Sequence, residues 1–163
     1  MGLLFKGNSQ GNINKKSSDD RYRVERAQLT DMGPMLDLWN ATPGLGVGKG
    51  DGEDSLRDFM HRNPSTCLVL RIDEDIVGTV LGGFDGRRGY IYHLAVHPDY
   101  QGKGYGKVLL NQVITELKFL GALKIHLFVF NDNQPATEFY RHLGWELRRD
   151  IQVFSWDAAR DNK

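Results

Sequence analysis

A glycine-rich turn lies between a strand-like and a helix-like segment and strongly limits the folds and ligands open to this chain. The run from His97 to Lys107 (HPDYQGKGYGK) follows the strand-like segment Tyr90–Val96 and precedes the helix-like segment Val108–Leu120. Backbone N–H groups at the start of a helix lack internal partners, and the helix dipole adds positive potential there. Glycine also lets the backbone approach a ligand without a Cβ in the way. The pattern therefore predicts a binding site for a phosphate or pyrophosphate group.

Two common phosphate-binding motifs do not fit this turn. The Walker motif needs Ser or Thr after its lysine, but Lys107 is followed by Val108. The dinucleotide motif needs a G-x-G-x-x-G spacing, but the glycines at 102, 104 and 106 are evenly spaced. The pattern that does fit is Gln/Arg-x-x-Gly-x-Gly/Ala, with Gln101 as its first residue. A nucleotide hydrolase is therefore disfavoured.

The turn and its context resemble the acyl-coenzyme A loop of the GNAT superfamily of N-acetyltransferases. The segment 94–98 (LAVHP) precedes it, and Asn133, Tyr140 and the Gly144-Trp145 pair follow at the family's spacing. The segment 76–92 (IVGTVLGGFDGRRGYIY) is particularly similar to the small bacterial YpeA-like branch. The resemblance covers about residues 21–157. It implies an acetyl-CoA-dependent N-acetyltransferase that moves an acetyl group to a primary amine by direct attack in a ternary complex.

A second class of function stays open at this point, which is a non-catalytic acyl-CoA-binding sensor or interaction module. The family's usual glutamate is absent from the strand before the loop, which favours this class. The presence of Asn133 and Tyr140 counts against it. The acceptor would be a small-molecule amine or a protein amine, since family members with similar loops modify unrelated amines.

Hydrophobic periodicity predicts the element order β-α-α-β-β-β-α-β-α-β-β, which matches the GNAT fold. We expect an α/β (α+β) architecture, with a mixed six- to seven-stranded sheet flanked by about four helices. The hairpin-linked strands should be antiparallel, whereas the helical connection makes the 89–96 and 124–130 strands parallel, with a V-shaped splay between them. The predicted strands are 22–27, 66–72, 76–84, 89–96, 124–130, 145–148 and 151–156, and the predicted helices are 31–40, 55–62, 108–120 and 133–143.

The length of 163 residues fits one domain. We expect a flexible N-terminal extension over 1–20, the acetyltransferase domain over 21–157 and a short C-terminal tail over 158–163. Lys plus Arg and Asp plus Glu balance at 21 each, so nothing indicates a nucleic acid or membrane partner. Cys67 is the only cysteine, which excludes an intrachain disulfide and fits a cytoplasmic protein. A homodimer is compatible with the resemblance, and we expect no metal.

The resemblance assigns residues to the coenzyme. The loop backbone would hold the pyrophosphate, the preceding strand would pair with the pantetheine arm, and an asparagine after the 124–130 strand would contact that arm. Asn133 is equally well explained as a helix N-cap. The expected cofactor-binding residues are Leu94, Ala95, Val96, Gln101, Gly102, Lys103, Gly104, Tyr105, Gly106, Lys107, Asn133 and Tyr140.

The resemblance also implies catalytic roles. Tyr140 would protonate the departing thiolate, because collapse of the tetrahedral intermediate expels that group. No dedicated base is evident. Strand alternation predicts that Tyr90 and Tyr92 face the acceptor, where they would order a proton-relaying water, and that His93 faces the other way. The loop before the second helix would shape the acceptor pocket, with Asp51 and nearby acids attracting a cationic amine.

Overall fold

The computed structural model of the protein describes residues 21–158, so the expected extension over 1–20 and nearly all of the expected tail lie outside the described residues. The chain forms two compact units, one that ends at Phe128 and one that begins at Val129. The single domain expected over 21–157 stays a prediction. Across residues 21–158, every helix is too short or too polar to cross a membrane.

The first unit is a five-stranded mixed sheet with helices on both faces. The strands lie in the order β1-β2-β3-β4-β5, and all neighbours are antiparallel except β4 and β5, which are parallel. This arrangement confirms the predicted pairing. The elements are β1 (Tyr22–Arg26), α1 (Met32–Asn40), α2 (Glu53–Arg62), β2 (Cys67–Ile72), β3 (Asp75–Phe84), β4 (Arg88–Val96), α3 (Tyr105–Leu120) and β5 (Lys124–Leu127).

Helix α3 packs closely on one face of β3. A Cβ on Gly78 would lie 2.8 Å from Leu109 Cδ1, and one on Gly82 would lie 2.7 Å from Val113 Cγ2. Real Cβ atoms do not approach other atoms this closely, so glycine is needed for the helix to sit at this distance. Helices α1 and α2 cover the opposite face, where Trp39 belongs to the buried core.

Strands β4 and β5 pair over only part of β4, because β5 ends at Leu127 and not at residue 130 as predicted. Their pairing runs from Arg88 opposite Lys124 to Ile91 opposite Leu127 and stops there, while β4 continues to Val96. Among the described residues, the edge of β4 beyond Ile91 therefore pairs with no strand on the β5 side. An unpaired strand edge offers N–H and C=O groups to an extended ligand.

Two parts of the sequence-based fold are wrong. The sheet has five strands rather than six to seven, because no strand forms at 145–148 or 151–156 within the described residues. A segment with apolar alternation forms a strand only where a neighbouring strand supplies hydrogen-bond partners and its apolar side chains pack. Here the apolar side chains are not packed, since Phe154 is 90% and Trp156 83% exposed. Helix α3 starts at Tyr105 rather than 108, so part of the glycine motif lies in its first turn.

The second unit contains α4 (Gln134–His142). Its start and end follow the predicted signals, since Asn133 is the N-cap and Gly144, just past the helix, has a left-handed φ of 85°. The described residues thus contain four α-helices, as expected.

Candidate active site

The glycine loop is built as a strand–turn–helix junction. A 3₁₀ turn at Pro98–Tyr100 follows β4, and Gly104 is the N-cap of α3. Gly102 has a φ of +77° and Gly104 a φ of +90°, and a Cβ on either would meet nothing within 4 Å. Glycine is therefore required here by the left-handed backbone and not by lack of space. The loop backbone is open to solvent beside the positive end of a 16-residue helix.

Two loop side chains anchor this junction to the rest of the unit. Gln101 Nε2 donates a hydrogen bond of 2.9 Å to the carbonyl oxygen of Val96, the last residue of β4. Tyr105 is buried, and its ring lies edge-on to that of Tyr22 at a centroid distance of 5.4 Å. Its buried side chain leaves only the backbone of Tyr105 for the expected contact with phosphate, which stays a prediction.

The lysines of the motif remain at the surface. Lys103 and Lys107 are both exposed, and Lys103 Nζ lies 5.6 Å from the centroid of the Tyr100 ring. Exposed ammonium groups at the start of α3 add positive charge beside the loop. Their contact with phosphate stays a prediction.

Strand β4 contains a bulge that changes which side chains face α1 and α2. Tyr92 pairs with Leu81 and Ala95 with Thr79, so β4 has one more residue than β3 across this interval. His93, inside the interval, has a left-handed φ of 48°. A bulge breaks the two-residue alternation of a strand. Ala95, rather than Leu94, therefore returns to the core on the α1 and α2 side.

The prediction that His93 faces away from Tyr92 is wrong for this reason. The His93 ring stacks on Trp39 of α1, with centroids 4.3 Å apart and an angle of 23° between the planes. His93 and Tyr92 line the same pocket. The alternation rule fails here because it assumes a regular ladder.

A buried hydrogen-bond chain supports the bulge. Trp39 Nε1 donates to Thr79 Oγ1 at 2.8 Å, and Thr79 Oγ1 donates to the carbonyl oxygen of His93 at 3.0 Å. Thr79 is fully buried and Trp39 nearly so. The threonine hydroxyl uses both its acceptor and its donor capacity, which fixes the position of the bulge relative to α1.

Asp51 connects the loop between α1 and α2 to His93. The distance from His93 Nε2 to Asp51 Oδ1 is 2.7 Å, and both side chains are mostly buried. Asp51 Oδ2 accepts a hydrogen bond of 2.7 Å from the backbone N–H of Gly48 in the same loop. The neighbouring acids Glu53 and Asp54 instead pair with Arg57 along α2. Of the acids expected to attract an amine, only Asp51 faces the pocket.

The pocket between this loop, α1, α2 and β4 has a volume of about 250 Å³. Its lining is mainly aromatic and aliphatic, with one carboxylate and one imidazole. The lining residues are Trp39, Gly50, Asp51, Ser55, Leu56, Phe59, Leu81, Tyr92 and His93.

The two tyrosines that the sequence singles out on β4 differ in position. Tyr92 lines the pocket and packs edge-on against Phe59 at 6.0 Å. Burial raises the pKa of Tyr92, and the Coulombic effect of Tyr90 raises it further by a smaller amount. Tyr92 therefore stays a neutral phenol at physiological pH. The Tyr90 ring lies 5.9 Å from that of His126 on β5 and is not part of the pocket lining. A water-ordering role stays a prediction for both.

Asn133 and Tyr140, the two candidate residues in the second unit, have well-defined local environments. Asn133 Oδ1 accepts a hydrogen bond of 3.1 Å from the backbone N–H of Ala136, which confirms its role as an N-cap. The Tyr140 ring packs edge-on against Phe139 at 5.1 Å and Trp145 at 5.8 Å. Burial raises the pKa of Tyr140 to about 12. Contact of either residue with the coenzyme stays a prediction.

Comparisons with known proteins identify the family. The model of the acetyltransferase (GNAT) family matches residues 34–145, so the chain belongs to this family. It is an N-acetyltransferase, a transferase that moves acyl groups, and GNAT acetyltransferases take the acetyl group from acetyl-CoA. An acetyltransferase of Sodalis glossinidius is 34% identical over 113 residues, which cover 69% of this chain and 80% of that protein.

Solved structures share the fold at low sequence identity. The PaiA N-acetyltransferase from Thermoplasma acidophilum, in complex with coenzyme A, has a TM-score of 0.72 at 17% identity over 78% of this chain and 91% of that one. An aminoglycoside acetyltransferase from an uncultured soil sample has a TM-score of 0.67 at 19% identity over 83% of this chain and 95% of that one. At such identity the likeness shows the fold alone.

Sequence reasoning missed the arrangement of His93, Asp51 and Trp39. The one available signal was the residue type, because histidine enters the left-handed region more readily than most residues. That signal is too weak to predict a bulge without knowledge of the pairing register. The contact of Asp51 with His93 joins positions 42 residues apart, and no local pattern indicates it.

Proposed function

We propose that this protein transfers the acetyl group of acetyl-CoA to a small primary amine by direct attack of the amine on the thioester. The single observation that carries the proposal is the junction of β4 and α3. There the left-handed glycines 102 and 104 expose backbone beside a helix N-terminus, at the end of a strand edge that is open beyond the pairing with β5. Pyrophosphate binding to such a helix start follows from backbone amides and the helix dipole.

The coenzyme would follow the open edge of β4 into the glycine loop. Backbone groups of 94–96 would pair with the pantetheine arm as an added strand, and the backbone from Gln101 to Lys107 would bind the pyrophosphate. The hydrogen bond from Gln101 to Val96 supports this, because it holds the loop in register with the strand. The family motif adds Asn133 as a further contact to the arm.

Tyr140 is proposed as the acid that protonates the leaving thiolate, a role that follows from its match to the family motif. Because its pKa is raised to about 12, the phenol keeps its proton at neutral pH and has one to give. The rise is in the direction that an acid needs. Tyr140→Phe should therefore lower kcat while leaving the KM for acetyl-CoA nearly unchanged.

The pocket beside Tyr92 is proposed to bind the acceptor. Its volume of about 250 Å³ suits a small amine or the end of a longer one. Its only carboxylate is Asp51, and the rest of its lining is aromatic, aliphatic or uncharged polar apart from His93. Such a site favours a monoamine with an apolar body over a polycation, which would need several carboxylates to offset its desolvation.

The test is calorimetric titration with acetyl-CoA, beside free coenzyme A and ATP, followed by an amine screen. We expect micromolar-range binding of both coenzyme A species and none of ATP. Gly104→Val and Gly106→Val should abolish binding. Gly86→Val is the matched control, because Gly86 has a φ of +97° in an open turn at the far end of β4. Absence of coenzyme A binding in folded wild-type protein would refute the proposal.

A further inference from the structure

We propose that His93 accepts the proton lost by the acceptor ammonium, and that Asp51 positions His93 for this task from the loop between α1 and α2. The inference rests on the proposed function, since it concerns the same acceptor pocket. The family's usual glutamate is absent from β4, and neither Tyr90 nor Tyr92 replaces it as a proton acceptor. His93 would fill this role.

The hydrogen bond between the two side chains sets the state of the ring. A carboxylate oxygen can only accept, so at 2.7 Å the Nε2 atom of His93 must donate its proton to Asp51 Oδ1. In a neutral imidazole the other nitrogen, Nδ1, then carries the lone pair. The contact therefore selects the tautomer in which Nδ1 is the basic atom, and Asp51 stabilises the imidazolium that forms when Nδ1 takes a proton.

The fold holds both members of the pair from independent elements. His93 is held by its stack on Trp39 and through its carbonyl oxygen by Thr79. Asp51 is fixed by Gly48, whose N–H binds Oδ2 and whose carbonyl oxygen accepts from the Asp51 N–H at 3.1 Å. A non-glycine residue in the left-handed region persists only where its surroundings impose it, and such residues cluster at functional sites.

Asp51 lies on a glycine-rich loop, whereas His93 lies in the sheet. The loop segment 44–52 is rich in glycine, and two of its glycines, Gly44 and Gly50, have positive φ. The hydrogen bond between Asp51 and His93 therefore joins this loop to β4, and the orientation of the proton acceptor depends on that contact.

The proton and electron balance is complete without another reactant. The ammonium gives one proton to His93 Nδ1, and the neutral amine attacks the thioester carbonyl carbon. The C–N bond forms, the C–S bond breaks, and sulfur takes the electron pair and a proton from Tyr140. The second amine proton passes through solvent to the Tyr140 phenolate, and His93 releases its proton to solvent. The products are an amide, free coenzyme A and one proton.

Two isosteric probes test this role. 2-Phenylethylamine has an apolar body and is an ammonium ion at neutral pH, whereas O-benzylhydroxylamine has the same shape and is already neutral. Wild-type protein should acetylate both. His93→Gly suits the left-handed backbone and should lower kcat about 10²- to 10⁴-fold for the first probe. The loss for the second probe should be far smaller, because it has no proton to give up before attack.

Added imidazole should restore activity to His93→Gly, because the deletion leaves a ring-sized space over Trp39. Asp51→Asn should lower kcat for 2-phenylethylamine by a smaller factor, with the KM for acetyl-CoA unchanged. The matched controls are His61→Ala and Asp54→Asn, both on exposed positions of α2, and both should behave like wild type.

Equal losses for both probes, or no rescue by imidazole, would reduce His93 to a structural residue and overturn the inference. Unchanged kcat in His93→Gly would do the same. Binding of acetyl-CoA by wild-type protein without acetylation of either probe would overturn the assignment of this pocket. Failure of wild-type protein to bind acetyl-CoA would instead refute the proposed function. The failure of this inference and the failure of the proposed function are therefore distinguishable.

Discussion

Replacing Thr79 with valine should destabilise the protein by removing one hydroxyl that serves two partners. Valine preserves the shape of the side chain, so packing changes little, but the Trp39 N–H and the His93 carbonyl oxygen lose their partner. An unsatisfied buried polar group costs about 1–3 kcal/mol. Because the His93 end is only partly buried, we expect Thr79→Val to lower the free energy of unfolding by about 2–4 kcal/mol in total.

Urea denaturation followed by tryptophan fluorescence and circular dichroism measures this loss, and Tm should fall by roughly 5–15 °C. A double-mutant cycle with Trp39→Phe isolates the shared bond. In the Trp39→Phe background the donor is already absent, so Thr79→Val should cost at least about 1 kcal/mol less than in wild type. Additive costs in the cycle would show that the bond between Trp39 and Thr79 does not stabilise the fold and would refute the reasoning.

Three further predictions concern packing and buried ionisable groups. Gly82→Ala should lower the free energy of unfolding by about 1–3 kcal/mol, because its Cβ would lie 2.7 Å from Val113 Cγ2, whereas Gly48→Ala, in open space, should not. Burial raises the pKa of the Cys67 thiol to about 12, so a thiol reagent should label native protein only at the rate at which the sheet opens, and fast labelling without urea would contradict this. Burial likewise raises the pKa of Tyr140 from 10.0 to about 12, so the folded state holds that proton more tightly and stability should be lost as pH rises from about 10 to 12. Tyr140→Phe should show less of this alkaline loss in urea titrations, and an identical pH profile would count against it.

The sequence was most informative where one local segment determines the structure. The glycines at 102 and 104 required a left-handed turn between a strand and a helix, and Asn133 and Gly144 marked the ends of α4. The family motif rests on the same segments, and so the fold and the class of reaction follow from short stretches of sequence. These features depend on backbone conformation and capping within a few residues.

The alternation of apolar residues gave wrong predictions where the structure depends on the pairing of one strand with another. The apolar alternation over 145–156 resembles that of a strand, yet these residues form none among those described, since a strand also needs a neighbouring edge. The alternation over β4 likewise predicted the wrong face for His93, because the register against β3 contains an extra residue.

The sequence by itself thus determined the glycine loop, the order of the elements from β1 to α4 and the acetyltransferase family. Only the tertiary structure placed His93, Asp51 and Trp39 around one pocket. The bonds that do so join Trp39 to Thr79 across 40 positions and Asp51 to His93 across 42. Contacts at such separation form only after the sheet and helices have assembled, so this pocket, proposed to bind the acceptor, is produced by packing and not by any local sequence pattern.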